Sequence, residues 1–316
     1  MLRTARSDSR QRGIALITAL VVVAIATGMA AAIIWRTDLD TRRTATLVQG
    51  DQAMEYALGA EAWAEQILAR DGNKNQGITA LNQTWAQQLP PLPVDGGQIQ
   101  GKIEDMQGRF NINNVATATG ATQFHNLLVA LGQDPTLAQA VSQWMSTTTA
   151  NNAGDATDDY YSRLQPAYLT GQMSMQSVSE LLLVKGFTPA VYAQVSPYLC
   201  ALPVQSAGAG GAQPAVASGT TINLNTASGP VMQSLSQDMT ADVVSQVIGA
   251  RGSQVFSQSS PPSALSAFKL SGQGYDSNYF LVTVVAQIGS THVTLYSLLY
   301  RNGNKTTVIR RTFGTL

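Results

Sequence analysis

One cysteine, two histidines, 12% charged residues and 7% aromatics in 316 residues leave little material for the common site chemistries. Cys200 alone excludes an intrachain disulfide and any CxxC metal motif. His125 and His292 are too few for a multi-histidine zinc site. Charged residues are about half as frequent as the usual ~25%, which argues against a highly charged disordered chain. Nineteen basic residues balance nineteen acidic ones, so no basic surplus is available for a nucleic-acid face. No GxSxG, P-loop or HExxH occurs. Proline is missing up to Pro90, which permits a very long helix before it. The length allows two modest domains.

What the chain does have is a basic leader and a long apolar run. Residues 1–13 carry Arg3, Arg6, Arg10 and Arg12 against a single acid, Asp8. Ile14 to Trp35 then contains no charge. As a helix it spans roughly 33 Å, enough for a bilayer's hydrocarbon core. Basic residues before the run place the amino end in the cytoplasm and the remainder across the membrane. Three readings stand side by side: a secretory signal cut near Ala30-Ala31-Ala32, an uncleaved anchor, and a cut between Gly13 and Ile14 that keeps the apolar helix.

Leu47, Met54, Ala57, Leu58, Ala64, Ile67 and Leu68 recur at three- and four-residue steps, predicting a core-facing helix from Ile14 to about Arg70, with a stop at Asp71-Gly72-Asn73. Strands are predicted at Gln98–Glu104 and Arg109–Ile112, then at Tyr279–Ala286, His292–Tyr300 and Thr306–Phe313, with a hairpin at Asn302-Gly303-Asn304. Between the strand groups the pattern is mostly helical. The expected organisation is a leader (1–13), a transmembrane segment (14–35), a first part of the head (36–114), an inserted helical domain (115–270) and C-terminal strands of the head (271–316). Residues 204–219, rich in Gly, Ala, Ser and Pro, read as a flexible surface loop.

The insertion repeats itself weakly. Phe110-Asn111-Ile112-Asn113-Asn114-Val115 echoes Ile222-Asn223-Leu224-Asn225-Thr226-Ala227, with asparagines and Thr226 placed as helix caps. Three helix-turn-helix joints follow, at 131–136, 184–189 and 235–240. Such pairs resemble helix-hairpin-helix or SAM-like modules, although Ser236-Gln237-Asp238-Met239 lacks the glycine pattern with which many of them bind DNA.

The one acidic cluster is Asp155, Asp158 and Asp159, in a loop with Asn151, Asn152 and Gly154. It reads either as a solvated loop capping a helix or as a calcium site, since calcium takes roughly six to eight oxygens. Glu180 is a remote further ligand. Cys200 is expected to be a buried small residue, His125 a helix-face or capping residue, and His292 a surface strand residue. Glu61 and Glu65 are expected on a solvated or subunit-facing edge, and Trp63, Trp85 and Trp144 in the core.

Gln11-Arg12-Gly13-Ile14-Ala15-Leu16-Ile17-Thr18 resembles the type IV prepilin class, in which prepilin peptidase cuts after the glycine and methylates the new terminus. That resemblance marks Gly13 and Ile14 as processing residues. Most members carry glutamate at the fifth mature residue, and here it is Thr18. Its absence is similar to the K-type minor pseudopilin of the type II secretion system. Residues 104–114, 158–161, 177–187 and 222–227 resemble that family's later motifs, in order. The resemblance implies an α+β, type IV pilin-like fold, with a long N-terminal helix on an antiparallel sheet and a large inserted SAM-like domain. It implies no enzyme activity, a place at the pseudopilus tip, and partners in the I, J and H minor pseudopilins and the inner-membrane secretion platform. It also implies calcium at Asp155, Asp158 and Asp159. The alternative from the residues is a membrane-anchored helix-hairpin-helix DNA-binding protein.

Overall fold

The computed structural model describes residues 8–75, 77–88, 90–146, 157–203 and 219–314, with side chains from Ile14 onward. Helix α1 (Asp8–Lys74) runs 67 residues, about 100 Å at the usual rise. It passes through Asp71-Gly72-Asn73, where the sequence pattern predicted its end. Ile14 to Trp35 presents apolar side chains to solvent all round, with Ile14, Ile34 and Trp35 each above 60% exposed. This is the composition and length of a membrane anchor, and α1 is the one such helix among the described residues.

The distal part of α1 lies on a five-stranded antiparallel sheet of order β1-β2-β7-β8-β9. Its strands come from both ends of the chain: β1 (Leu92–Val94) and β2 (Gly97–Asp105) from the first half, β7 (Tyr279–Ile288), β8 (Thr291–Asn302) and β9 (Lys305–Phe313) from the last. Two-residue turns join β7 to β8 and β8 to β9, each with a glycine of positive φ first (Gly289 at 55°, Gly303 at 58°), which suits the twist of a hairpin. Ala53, Ala57, Ala64 and Leu68 of α1 pack on Phe280, Val282, Val284, Leu295 and Leu299. Leu47 and Met54 belong to the predicted apolar stripe but are exposed, because they lie off the face that meets the sheet.

The chain between β2 and β7 forms a second, mainly helical lobe: β3 (Phe110–Asn111), α2 (Ala118–Ala130), α3 (Leu137–Met145), α4 (Asp158–Tyr161), α5 (Pro189–Val195), β4 (Leu199–Cys200), β5 (Ile222–Asn223), α6 (Gly229–Gln233), α7 (Ala241–Arg251) and β6 (Gln273–Gly274). The predicted strand at Arg109–Ile112 shrinks to β3. It pairs in parallel with β4 inside the lobe rather than with the head sheet. The second asparagine motif does the same, β5 pairing in parallel with β6.

The two motifs are held alike. Asn113 accepts from the Met175 N–H at 2.7 Å and donates to the Met175 and Leu202 carbonyls, both at 2.9 Å. Asn225 accepts from the Phe256 N–H at 2.9 Å and donates to the Phe256 and Tyr275 carbonyls. One residue pair earlier, Asn111 and Asn223 accept from the backbone N–H of Asn113 and Asn225, which is capping geometry. The helices after the second and third joints begin on threonine caps, Thr188 accepting from Val191 N–H and Thr240 from Val243 N–H, whereas at the first joint Thr136 makes no side-chain cap bond and Asp134 accepts from its N–H and hydroxyl.

The lobe sits at one end of the head. At the β2–β7 end formed by Gly97 and Ile288, Gly289 closely approaches Gln49 of α1. At the other end Asp105 pairs with Phe280, and Arg301 meets Asp71 near the end of α1. The chain leaves for the lobe after Asp105 and returns before Tyr279. The lobe therefore emerges at the end of the sheet farthest along α1 from the apolar anchor.

Candidate functional site

Gly13 and Ile14 lie within α1, Ile14 being 64% exposed. Thr18, four residues on, turns its hydroxyl back to the Ala15 carbonyl at 3.0 Å. That bond satisfies the hydroxyl inside its own helix and leaves the apolar run without an ionisable group.

The acidic turn is only partly described. Asp155 lies outside the described residues, as do 204–218 of the predicted surface loop. Asp158 and Asp159 open α4 and point apart. Asp158 Oδ1 accepts from the backbone N–H of Thr170 at 2.8 Å and its hydroxyl at 2.6 Å, and Oδ2 from Gln172 Nε2 at 3.0 Å. These donors hold the carboxyl below its ordinary pKa, the Thr170 hydroxyl most. Asp159 pairs with Arg163 at 2.6 Å, both side chains largely exposed. Glu180 accepts from the Gln176 and Ser177 N–H groups in a capping box and is committed there. Among the described residues no three Asp, Glu, His or Cys side chains gather as a metal site. All-oxygen donors and a free lone pair on Asp158 fit calcium as part of a shell.

Three buried polar centres were not foreseen. Glu61, expected on a solvated edge, is 2% exposed. It takes a two-pronged ion pair from Arg311 of β9 (2.6 and 2.8 Å) and a hydrogen bond from the Ser297 hydroxyl of β8. Half-buried Glu65, one turn on, has its pKa raised by desolvation and then by Glu61. Arg301 of β8 is buried, with Asp71 at 3.0 Å, Thr79 Oγ1 at 2.6 Å, the Ser277 carbonyl at 2.9 Å and the Phe280 ring beneath it. Asp105 accepts four hydrogen bonds, from Gln107 N–H (2.9 Å), Asn223 Nδ2 (2.9 Å), Thr226 Oγ1 (2.6 Å) and Ser277 Oγ (2.7 Å). It joins β2 to the second asparagine motif and to the start of β7, and so fastens the lobe to the head. Its only sequence signal was its place between a strand and the first motif.

Cys200 is buried and unpaired, its thiol pushed far up by desolvation, so it is a packing group rather than a nucleophile. Trp85 and Trp144 are core residues as expected, whereas Trp63 is 49% exposed. His125 and His292 are exposed.

Known proteins match this architecture. A family model described as type II secretion system protein K matches residues 108–204. The type II secretion system protein K of Pectobacterium carotovorum subsp. carotovorum is 32% identical over 336 residues, covering 97% of this chain and 97% of that one. Its Aeromonas hydrophila counterpart is 29% identical over 340 residues, covering 98% of each. Among solved structures, a chain of the GspK-GspI-GspJ complex from enterotoxigenic Escherichia coli shares the fold, with a TM-score of 0.69 and 21% identity. That match spans 87% of this chain and 100% of the other. With full-length likeness at that level of identity, the chain belongs to the type II secretion system protein K family.

Proposed function

We propose that this minor pseudopilin of the type II secretion system occupies the tip of the pseudopilus and starts its assembly. The observation that carries the reading is the position of the lobe. It emerges beyond the far end of α1 and of the sheet, where a subunit stacked above would have to sit. Thr18 supports it: a chain without a carboxylate in its apolar helix has no group of its own to pair with the buried terminal ammonium of a neighbour.

In this reading prepilin peptidase cuts after Gly13, and Ile14 begins the mature chain. The anchor lies in the inner membrane with its amino end cytoplasmic and both lobes periplasmic. The solved neighbour is a complex with GspI and GspJ, which supports I- and J-type minor pseudopilins as direct partners. H-type pseudopilin and the secretion platform complete the assembly. The role is structural, not catalytic. Family membership favours secretion over the DNA-binding alternative. Asp155, Asp158 and Asp159 form the protein end of a calcium site in the lobe.

Labelling the lobe on assembled pseudopili tests the placement. Label at one end of each filament is the expected result, and label along the shaft overturns it. Mass spectrometry of the mature chain tests the processing step: N-methylated Ile14 is expected, and a start near Ala31 removes the pilin route.

A further inference from the structure

A cavity of about 320 Å³ lies where the head sheet meets the lobe. Its floor is one cross-strand row: Leu281 of β7 faces Leu298 of β8, and Leu298 faces Arg310 of β9. The lobe supplies a second wall, from Leu199 of β4 to Leu202. Leu281, Leu298, Leu199 and Leu202 are all buried, so the inner part of the cavity is apolar.

Arg310 stands at the outer end of the row because β9 bulges. The register shifts between Leu298 and Leu299, which pair with Arg310 and Val308 and leave Ile309 over. In an unbroken strand Arg310 would share a face with Val308, which packs into the core under α1. The extra residue turns Arg310 towards the lobe and Arg311 towards Glu61.

Arg310 donates to the Gln176 carbonyl of the lobe. Among the described residues it has no carboxylate partner. Arg109, the other cation of the lining, is already met by Glu104 at 3.3 Å. The lining itself holds no acid. Tyr192 and Ser196 add hydroxyls that make no hydrogen bond among the described residues. An apolar trough two inter-strand spacings long, about 10 Å, thus ends in one uncompensated guanidinium. That is the outline of an amphipathic anion, apolar at one end and charged at the other. Bilayer lipid is out of reach. Arg311, next in the strand, grips Glu61, which lies 26 residues or about 39 Å along α1 beyond Trp35.

We infer that the cavity between the head sheet and the lobe binds a small free molecule, a carboxylate on a short apolar chain, with Arg310 holding the carboxylate. Guanidinium and carboxylate match in geometry as well as charge. The apolar chain lies along Leu298 and Leu281, so the bound molecule bridges head and lobe. The cavity is at the small end of the range for such sites. The site does not depend on placement at the tip, and either reading can fail alone.

The test is titration of the full-length chain, solubilised in a neutral detergent, with hexanoate, the signal of detergent alone being subtracted. Saturable binding is expected. Hexanol keeps the chain without the charge, and acetate keeps the charge with almost no chain. Each should bind at least about tenfold more weakly, as should hexanoate to Arg310→Gln, since tenfold is the worth of one charge-assisted hydrogen bond at a partly exposed site. Lys305→Gln removes a charge from the same strand outside the lining and should bind as wild type does. Ser179→Phe narrows the exposed rim without touching the arginine and should also weaken binding, which decides the matter if Arg310→Gln melts early. Absence of saturable binding overturns the inference. Hexanol or acetate binding as well as hexanoate overturns it too, as does wild-type affinity in folded Arg310→Gln or in Ser179→Phe. Equal loss in Lys305→Gln reduces the effect to net charge and likewise overturns it.

Discussion

Glu61 on the N-terminal helix is clasped by Arg311, 250 residues later on the last strand, with both guanidinium prongs engaged. The carboxylate is buried and the arginine side chain is 48% exposed. β9 is an edge strand with one neighbour, β8, and edge strands are weakly held. The ion pair and the Ser297 hydroxyl fix β8 and β9 to α1 at one point. Arg311→Met leaves a buried carboxylate with only Ser297 and should destabilise by about 2 kcal/mol, below the range for fully buried pairs because the arginine is half in solvent. Glu61→Leu/Arg311→Met should recover part of that loss, since neither charge is then left alone. Chemical denaturation of the solubilised chain measures both. A double variant weaker than the single arginine variant contradicts the account.

Asp105 makes a second test, with a pH signature. Desolvation raises its pKa above the ordinary carboxylate value, against four hydrogen bonds that lower it, Thr226 first. The folded protein therefore binds this proton more tightly than the unfolded chain does. Its contribution to stability is fully present below the ordinary carboxylate pKa near 3.8 and is lost as pH rises through the higher folded value. Asp105→Asn removes that slope. It also turns an amide NH2 towards the Asn223 donor, which should cost about 2 kcal/mol. Melting curves between pH 4 and 8 should show the gap between wild type and variant narrowing as pH rises. A gap that widens contradicts the sign.

Asn113 and Asn225 should behave as equivalents. Each holds one N–H and two carbonyl contacts in a buried setting. Truncation to alanine strands those backbone groups, and about 3 kcal/mol is expected at either position. Aspartate should not rescue, because it keeps the acceptor and loses both donors. Equal effects at the two sites, read by denaturation, would identify the motifs as duplicated anchors of the lobe. A neutral effect at one of them breaks the equivalence.

The long helix, the hairpin at Gly303 and the C-terminal strands were legible because local rules set them: absence of proline, glycine in the turn, alternation along the strand. The asparagine echo was legible as a repeat, and so were the local turns that Asn111 and Asn223 close, but Thr226 does not cap a helix as expected: its hydroxyl donates to Asp105. The second role of the echo, at Asn113 and Asn225, was not legible, since Met175, Leu202, Phe256 and Tyr275 are distant in sequence. Glu61 failed for the same reason. One turn before Glu65 on a helix it reads as surface, and only folding brings Arg311 and Ser297 to it. Trp63 was misplaced because it was expected inside as a tryptophan, whereas it lies off the face of α1 that meets the sheet and is 49% exposed. β3 pairs inside the lobe because Leu199 and Cys200, not the head sheet, lie beside it.

The acidic turn separates a cap from an ion site. Asp158 already receives three hydrogen bonds from Thr170 and Gln172, so Asp158→Ala should loosen that loop by about 1–2 kcal/mol with or without metal. Asp159→Ala breaks an exposed pair with Arg163 and should change stability by under about 1 kcal/mol in chelator. Added calcium should raise the wild-type melting temperature over that in chelator, as for any ligand that binds only the folded form. Asp155→Asn and Asp158→Asn should abolish that rise, and Asp159→Asn should shift it to higher calcium. An unchanged wild-type melting temperature in calcium and chelator would leave Asp158 as a structural acceptor for Thr170 and remove the ion from the proposal.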